Sequence, residues 1–344
     1  GLGPFKFMPG IVVGAILVGP LVTRAASEAR GHGVPEVIEA VNRRGGRIRT
    51  RVASVKALAS ALTISSGGSA GREGPIVQIG SALGSALARS FRMSDRRRST
   101  FVAAGAAAGI AAIFNAPLAG VFFALEVILR SFTARGFSTV VISAVTANAV
   151  WRVLVGDESV LSAEVHKLIH PTELLLYLVL GVVAAVVAVG FVKLLYFVED
   201  QFELLPVLAD LRPAIGAVAV GLMGAISIEL LGSGLSGIDK ALAGEFAFRF
   251  LLLLLVGKML ATALTLGSGG SGGIFSPSLF IGALLGSAYG EIVNQIFPDS
   301  TAPAGAYAVV GMAAVFAAAA QAPMSSIFIV FEMTNDFGLI MPLM

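Results

Sequence analysis

The chain of 344 residues has no cysteine, a single tryptophan and three histidines, and only 13% of its residues are charged. Without Cys there is no disulfide framework and no thiolate metal or redox site, and three His leave little room for a His-built metal cluster. Soluble domains carry roughly a quarter charged residues, so this deficit excludes an ordinary soluble enzyme. Too little polarity also excludes disorder. The net charge of +3 is small, and its basic residues sit between apolar segments, which argues against a nucleic-acid partner despite a pI near 9.4. What the chain does have is apolar: 56% hydrophobic residues and 41 Gly, with a mean hydropathy of +0.89. Gly- and Ala-rich runs suit helices packed closely in lipid. The chain starts at Gly1 and stops at Met344 inside an apolar run, so it is expected to be an excised core whose targeting or regulatory segments cannot be judged.

Hydropathy predicts about eleven helical segments, roughly 5–25, 52–66, 75–91, 101–114, 117–131, 137–156, 172–197, 213–231, 247–266, 277–297 and 304–334, the last split by Pro323. Several fall short of the ~20 residues of a perpendicular crossing. Helices that stop at mid-membrane are tolerated only where protein or a cavity takes up the freed backbone. Arg43, Arg44, Arg47, Arg49 and Arg51 form one cluster, and Arg92, Arg96, Arg97 and Arg98 another. Both loops, 43–51 and 92–98, should be cytoplasmic. The chain between them must leave and return, turning near Ser65 to Pro75, where Arg72 and Glu73 are the only charges. Asp157, Glu158 and Glu164, with no Arg, place the 157–170 connection outside; the 198–212 loop takes no side.

An internal repeat underlies the segments. At an offset of 202, SGGSAGREGPIVQIGSALGSA (66–86) matches SGGSGGIFSPSLFIGALLGSA (268–288) at twelve of 21 positions. At an offset of 206, residues 101–127 match 307–333, sharing an Ala-Pro step and the Glu126/Glu332 position. GHGVP (31–35) and GSGLS (232–236) are a third pair, at 201. The order and spacing indicate a duplicated half, 1–156, followed by a second, inverted half, 157–344, incomplete at its C-terminus. Such halves meet around a midplane site in membrane transporters.

GHGVP, GREGP and GIFSP each put Gly before a Pro suited to the first turn of a helix. The unpaired amides and positive dipole end there favour an anion by ~0.3–2 kcal/mol per helix, so several must converge to replace its hydration. Glycine lets backbone approach an ion and adds no carboxylate. Glu73 is the exception, since a carboxylate in the apolar centre costs ~2.5–3.5 kcal/mol. Structurally it would pair with Arg72. Functionally, its carboxylate would occupy the anion's own place and leave on protonation or displacement, making a gate sensitive to pH and voltage. Lys56 is expected to snorkel to the cytoplasmic interface, with a positive potential on the path as the alternative.

GREGP (71–75), GIFSP (273–277) and GAAAGIAAIFNAPLAGVFFALE (105–126) resemble the CLC chloride channels and chloride/proton antiporters over nearly the whole chain. The resemblance implies an all-α polytopic membrane protein with the CLC-like inverted-repeat fold of broken, tilted and re-entrant helices. It also implies a homodimer with one pore per subunit, a voltage-gated type of anion pathway, partners limited to a small anion, protons and lipid, and no cofactor or metal. By motif, Glu73 corresponds to the gating glutamate. The amides of Gly74, Ile274 and Phe275 line the path, and the turn through Gly31, His32 and Gly33 forms the central and inner site. Two departures stand out. His32 replaces the Ser usual in chloride-selective members, leaving chloride against nitrate open, and Val127 replaces the internal proton-transfer glutamate of well-known antiporters.

Val127 tilts the reading toward a passive, gated chloride channel in the plasma membrane. The alternatives are an anion/proton antiporter with another inner proton route, and a non-conducting structural membrane protein. No nucleophile, base and orienting group converge, so an enzyme is not expected.

Overall fold

The computed structural model describes residues 7–156, 161, 173–298, 301–335 and 337–344. These are helices joined by tight turns, with isolated backbone bridges as the only extended pairing among them. In chain order they are α1 (Met8–Pro20, continued by a π turn to Ala25), α2 (Val34–Arg43), α3 (Arg51–Ser65), α4 (Glu73–Ser90), α5 (Asp95–Phe114), α6 (Pro117–Phe123, continued by a π turn to Leu129) and α7 (Ala134–Leu154). There follow α8 (Glu173–Leu204), α9 (Arg212–Ile226), α10 (Leu235–Leu242), α11 (Phe248–Gly267), α12 (Phe275–Ile296), α13 (Ala304–Ala320), α14 (Pro323–Thr334) and the short α15 (Ile340–Leu343).

Every expected apolar segment is helical. The hydropathy reading misses α2 and α10, helices of 10 and 8 residues that follow GHGVP and GSGLS. They are too short and too polar to register as apolar runs: α2 buries Val34, Val37 and Ala40 on one stripe and carries Glu36 and Glu39 on the others. The breaks at 115–117 and 321–323 are alike. Asn115 and Gln321 end α5 and α13 in the left-handed region, at φ +52° and +53°, and a proline opens α6 and α14.

The protein is an integral membrane protein. Six helices, Met8–Ala25, Gly136–Leu154, Glu173–Leu204, Ala209–Ile226, Phe248–Gly267 and Phe275–Ile296, are long and apolar enough to cross a bilayer. On α7 and α8 the large apolar side chains point outward, with Ile142, Val153, Leu178 and Val186 each more than half exposed, as lipid contact requires. α12 and α13 lie inside, and their near-continuous burial explains why their small residues face one another. A Cβ on Gly80 would overlap the carbonyl of Gly105, and one on Gly282 that of Gly311, so both helix pairs close to backbone contact.

The mates run in opposite senses. The C-terminal end of α1 meets the start of α9, since Gly19 packs on the Asp210 backbone and Gly221 on Met8. The Arg-rich loops share one side: Arg89 donates to the Thr50 hydroxyl at 2.7 Å and Arg47 pairs with Asp95 at 3.6 Å. The 198–212 loop joins that side, because Arg49 pairs with Glu28 and the neighbouring Arg30 reaches Glu199 at 3.7 Å and Glu203 at 3.3 Å. Asp210 accepts from the Thr23 hydroxyl and the Arg24 guanidinium. Asp157, Glu158 and Glu164 lie outside the described residues.

Reciprocal hydrogen bonds carry the two-fold relation into the core. Glu126 accepts from the Met324 and Ser325 amides, at 3.1 and 2.8 Å, and Glu332 accepts from those of Leu118 and Ala119, also at 3.1 and 2.8 Å. Each carboxylate thus caps the helix N-terminus that belongs to its mate. Thr265 Oγ1 accepts from the Ser69 amide and Thr63 Oγ1 from that of Ser271. Gly71 and Gly273 exchange both backbone hydrogen bonds, at 2.7 and 2.6 Å, so the two repeats meet at GREGP and GIFSP.

Candidate functional site

The three glycine turns come together in the interior. Gly31 donates to the Gly270 carbonyl at 3.1 Å and accepts from Gly272 at 3.2 Å. The Gly71–Gly273 bridge joins the other two turns. Gly74 touches both partners at once: a Cβ there would overlap the His32 carbonyl and would lie 3.0 Å from Gly273 Cα. Only glycine permits that approach.

From this junction α2, α4 and α12 set out, each with its N-terminus at the centre. Among the described residues the amides of Gly74, Ile274 and Phe275 donate to no protein group. Proline at 75 and 277 removes one further donor from each first turn. The free amides are therefore the ones nearest the junction. The Phe275 ring is turned away from that task, packed edge-on against Phe123 at 5.4 Å and Phe316 at 4.8 Å between centroids. It anchors the α12 start, and the amide is what the turn offers.

Glu73 is 1% exposed. Its carboxylate accepts from the Ser276 hydroxyl and, at 3.3 Å, from the Ser276 amide in the first turn of α12. A Cβ on Gly71 would overlap the same carboxylate, so Gly71 makes its room. A carboxylate thus sits on the electropositive end of a helix belonging to the other repeat, where an external anion would be stabilised by the same donors. The ion pair weighed for Arg72 does not form: Arg72 is exposed and among the described residues makes no salt bridge with Glu73. Adjacent positions at a helix start point apart, and the α12 end is the stronger partner.

Lys56 needs a correction. It does not snorkel; it is fully buried, and its ammonium donates to the carbonyls of Ala29 at 3.0 Å and Gly31 at 2.6 Å. The turn's carbonyls, each with a lone pair still open beside its bond from Gly272 or Ser271, draw it inward. Lys258, its mate 202 positions on, is equally buried and donates to Leu230 and Gly232 at 3.3 and 2.8 Å. Each lysine therefore pins one of the turns GHGVP and GSGLS. Val127 is buried and aliphatic in the π turn after α6, next to the capping Glu126.

The sequence reading overlooked Ser276, Lys258 and Gln78. Ser276 had a signal, a hydroxyl inside GIFSP, and Lys258 had one in the repeat register. Gln78, 1% exposed on α4, donates to the Glu28 carbonyl at 2.7 Å, a contact set by tertiary packing alone. Among the described residues no cluster of His, Asp and Glu is able to hold a metal ion.

The sequence matches the family described as voltage gated chloride channel over residues 14–344. It is 38% identical over 330 residues to the H(+)/Cl(-) exchange transporter ClcA of Vibrio campbellii, covering 94% of this chain and 70% of the relative. With ClcA of Vibrio cholerae serotype O1 the identity is 39% at the same coverage. Among solved structures it is similar to a slow cyanobacterial Cl−/H+ antiporter, with a TM-score of 0.88 and 26% identity over 98% of this chain and 80% of that one. A CLC-type fluoride/proton antiporter gives a TM-score of 0.84 and 25% identity, over 98% and 83% of the two chains.

Proposed function

The chain belongs to the voltage-gated chloride channel (CLC) family, and from that premise we propose that it moves chloride or a similar small anion across a membrane in exchange for protons. The observation that carries the reading is the seat of Glu73. Its carboxylate holds the donors of the α12 N-terminus at the point where three glycine turns leave further amides free. An anion competes for the same donors, and protonation of Glu73 removes its claim to them, which links anion entry to proton uptake at one residue. In this reading Gly74, Ile274 and Phe275 supply backbone donors to the anion. The turn through Gly31, His32 and Gly33 forms the inner part of the path, with Lys56 holding it and adding positive potential. Arg72 contributes only at the exposed rim.

Exchange takes precedence over the passive channel because the named relatives and the similar solved structures cited above are exchangers. The channel reading retains one observation in its favour, the aliphatic Val127. Proteoliposomes containing full-length protein, with equal chloride on both sides and a pH gradient, separate the two. An exchanger drives chloride against its own equilibrium and shifts the reversal potential; a channel leaves it at zero. No flux at all would favour a non-conducting structural role.

We further propose residues 1–156 and 157–344 as the two halves, a homodimer with one pathway per subunit, and a place in the cell membrane with the 43–51 and 92–98 loops cytoplasmic. Cross-linking in native membranes and side-specific labelling of cysteines placed in those loops test these assignments. The chemistry is transport, with no covalent step for the protein to catalyse.

A further inference from the structure

Exchange requires a proton to reach Glu73 from the side of the Arg-rich loops, and Val127 offers it no foothold. The convergent turns nonetheless contain one imidazole, a ring that is able to bind and release a proton. His32 is the one histidine among the described residues, and its Nδ1 is buried with no hydrogen-bond partner. Its backbone carbonyl abuts Gly74, the residue after Glu73.

On the Arg-rich side lies a cavity of about 310 Å³, walled by Glu28, Glu36, Arg44, Arg47, Arg49 and Gln78. Gln78 stands between the cavity and the turn. It packs on Gly33, and while its Nε2 is satisfied by Glu28, its Oε1 is buried without a partner. Unpartnered buried polar atoms are rare in native interiors and call for a reason. Two of them here, Gln78 Oε1 and His32 Nδ1, meet at Gly33, the first packed on it and the second on the residue before it. Burial, reinforced by Glu39 one turn on, pushes the carboxyl of Glu36 in the cavity wall up.

The mate turn shows the contrast. The counterpart of His32 is Ser233, and that of Gln78 is Phe280. The Phe280 ring packs on Gly234 and Gly237, with the Lys258 ammonium 5.6 Å from its centroid. There the passage is filled by a phenyl ring and no imidazole is present.

We propose that His32 is the inner proton-transfer residue of this protein, in the part that position 127 cannot take. The proposal rests on the exchange reading. A proton from the cavity bonds to a ring nitrogen to give the imidazolium; that N–H bond breaks as an O–H bond forms on the Glu73 carboxylate. The neutral carboxyl releases Ser276, the anion passes in the opposite direction, and Glu73 loses the proton to the far side. One proton enters and one leaves, and the ring ends neutral. The charged groups set around the turn are Lys56 of α3 on the Gly31 carbonyl, Glu73 of α4, Glu36 of α2, and Glu28 and Arg30 ahead of it. A bound anion favours the charged ring, and the Lys56 ammonium opposes it once the anion has left.

The test measures chloride and proton fluxes from the same proteoliposomes. His32→Gln keeps a polar side chain that does not titrate, and should lower the ratio of proton to chloride flux at least tenfold. Val127→Glu added to His32→Gln should restore proton flux. A wild-type proton-to-chloride ratio in His32→Gln overturns the proposal, and so does loss of both fluxes, which would make His32 structural. A wild-type protein that moves chloride without protons overturns the exchange reading and this proposal together; coupling that survives in His32→Gln overturns the proposal alone.

Discussion

Replacing Glu73 by Ala removes the carboxylate from the first turn of α12 and leaves the Ser276 hydroxyl and amide free. Hydrogen bonds to a charged group contribute roughly 1.5–3 kcal/mol each. Two of them set a competition of about 3–6 kcal/mol that an incoming anion must match. Because 1.4 kcal/mol is a factor of ten in an equilibrium, losing even the weaker bond should raise anion occupancy at this point about tenfold or more. The carboxylate competes only while ionised, so in the native protein anion flux should rise as pH falls and protonated Glu73 lets go of Ser276. In Glu73→Ala that dependence should flatten, proton flux should vanish, and chloride flux should persist. Glu73→Gln should resemble the protonated state, with flux insensitive to pH. The assay is chloride efflux from liposomes at a series of pH values, with isothermal titration of chloride for the affinity. A Glu73→Ala protein whose flux keeps the native pH profile would refute the assignment, because no other carboxylate lies on the α12 N-terminus among the described residues.

Glu126→Ala and Glu332→Ala should each lower the melting temperature in detergent, Glu126→Ala more, because Glu126 also accepts from the Ser325 hydroxyl at 2.6 Å; loss of about 1–3 kcal/mol per orphaned cap is expected, absent shifts would contradict the reciprocal capping, and equal ones the contribution of Ser325. Lys56→Met removes the ammonium from the Ala29 and Gly31 carbonyls, leaving them only Ser271 Oγ and the Gly272 amide, and should change the chloride-to-nitrate preference as well as stability. Lys258→Met should affect stability only, and a selectivity change there would show that GSGLS also borders the path.

Much of the site could be read in advance because it is built from backbone. A helix start that offers amides must be written with Gly and Pro, and those letters stand out in an apolar chain at GHGVP, GREGP and GIFSP. The reciprocal caps were half visible as the matching positions of Glu126 and Glu332. Lys56 was misjudged because a lysine in an apolar segment snorkels unless carbonyls wait inside, and the carbonyls that hold it belong to residues 25 and 27 positions earlier. The helices α2 and α10 escaped because their faces are too short to produce an apolar run.

The sequence by itself determined that the chain lives in a membrane, that it is duplicated, and that three helices begin at glycine turns, since composition, repetition and local backbone chemistry are properties of order along the chain. Only the tertiary structure decided that those three beginnings meet, that Glu73 rests on Ser276 of the opposite repeat and not on Arg72, and that Gln78 and Phe280 make the two pseudo-equivalent turns unlike. These are contacts between residues far apart in the chain, fixed by how inverted helices pack, and no local pattern records them.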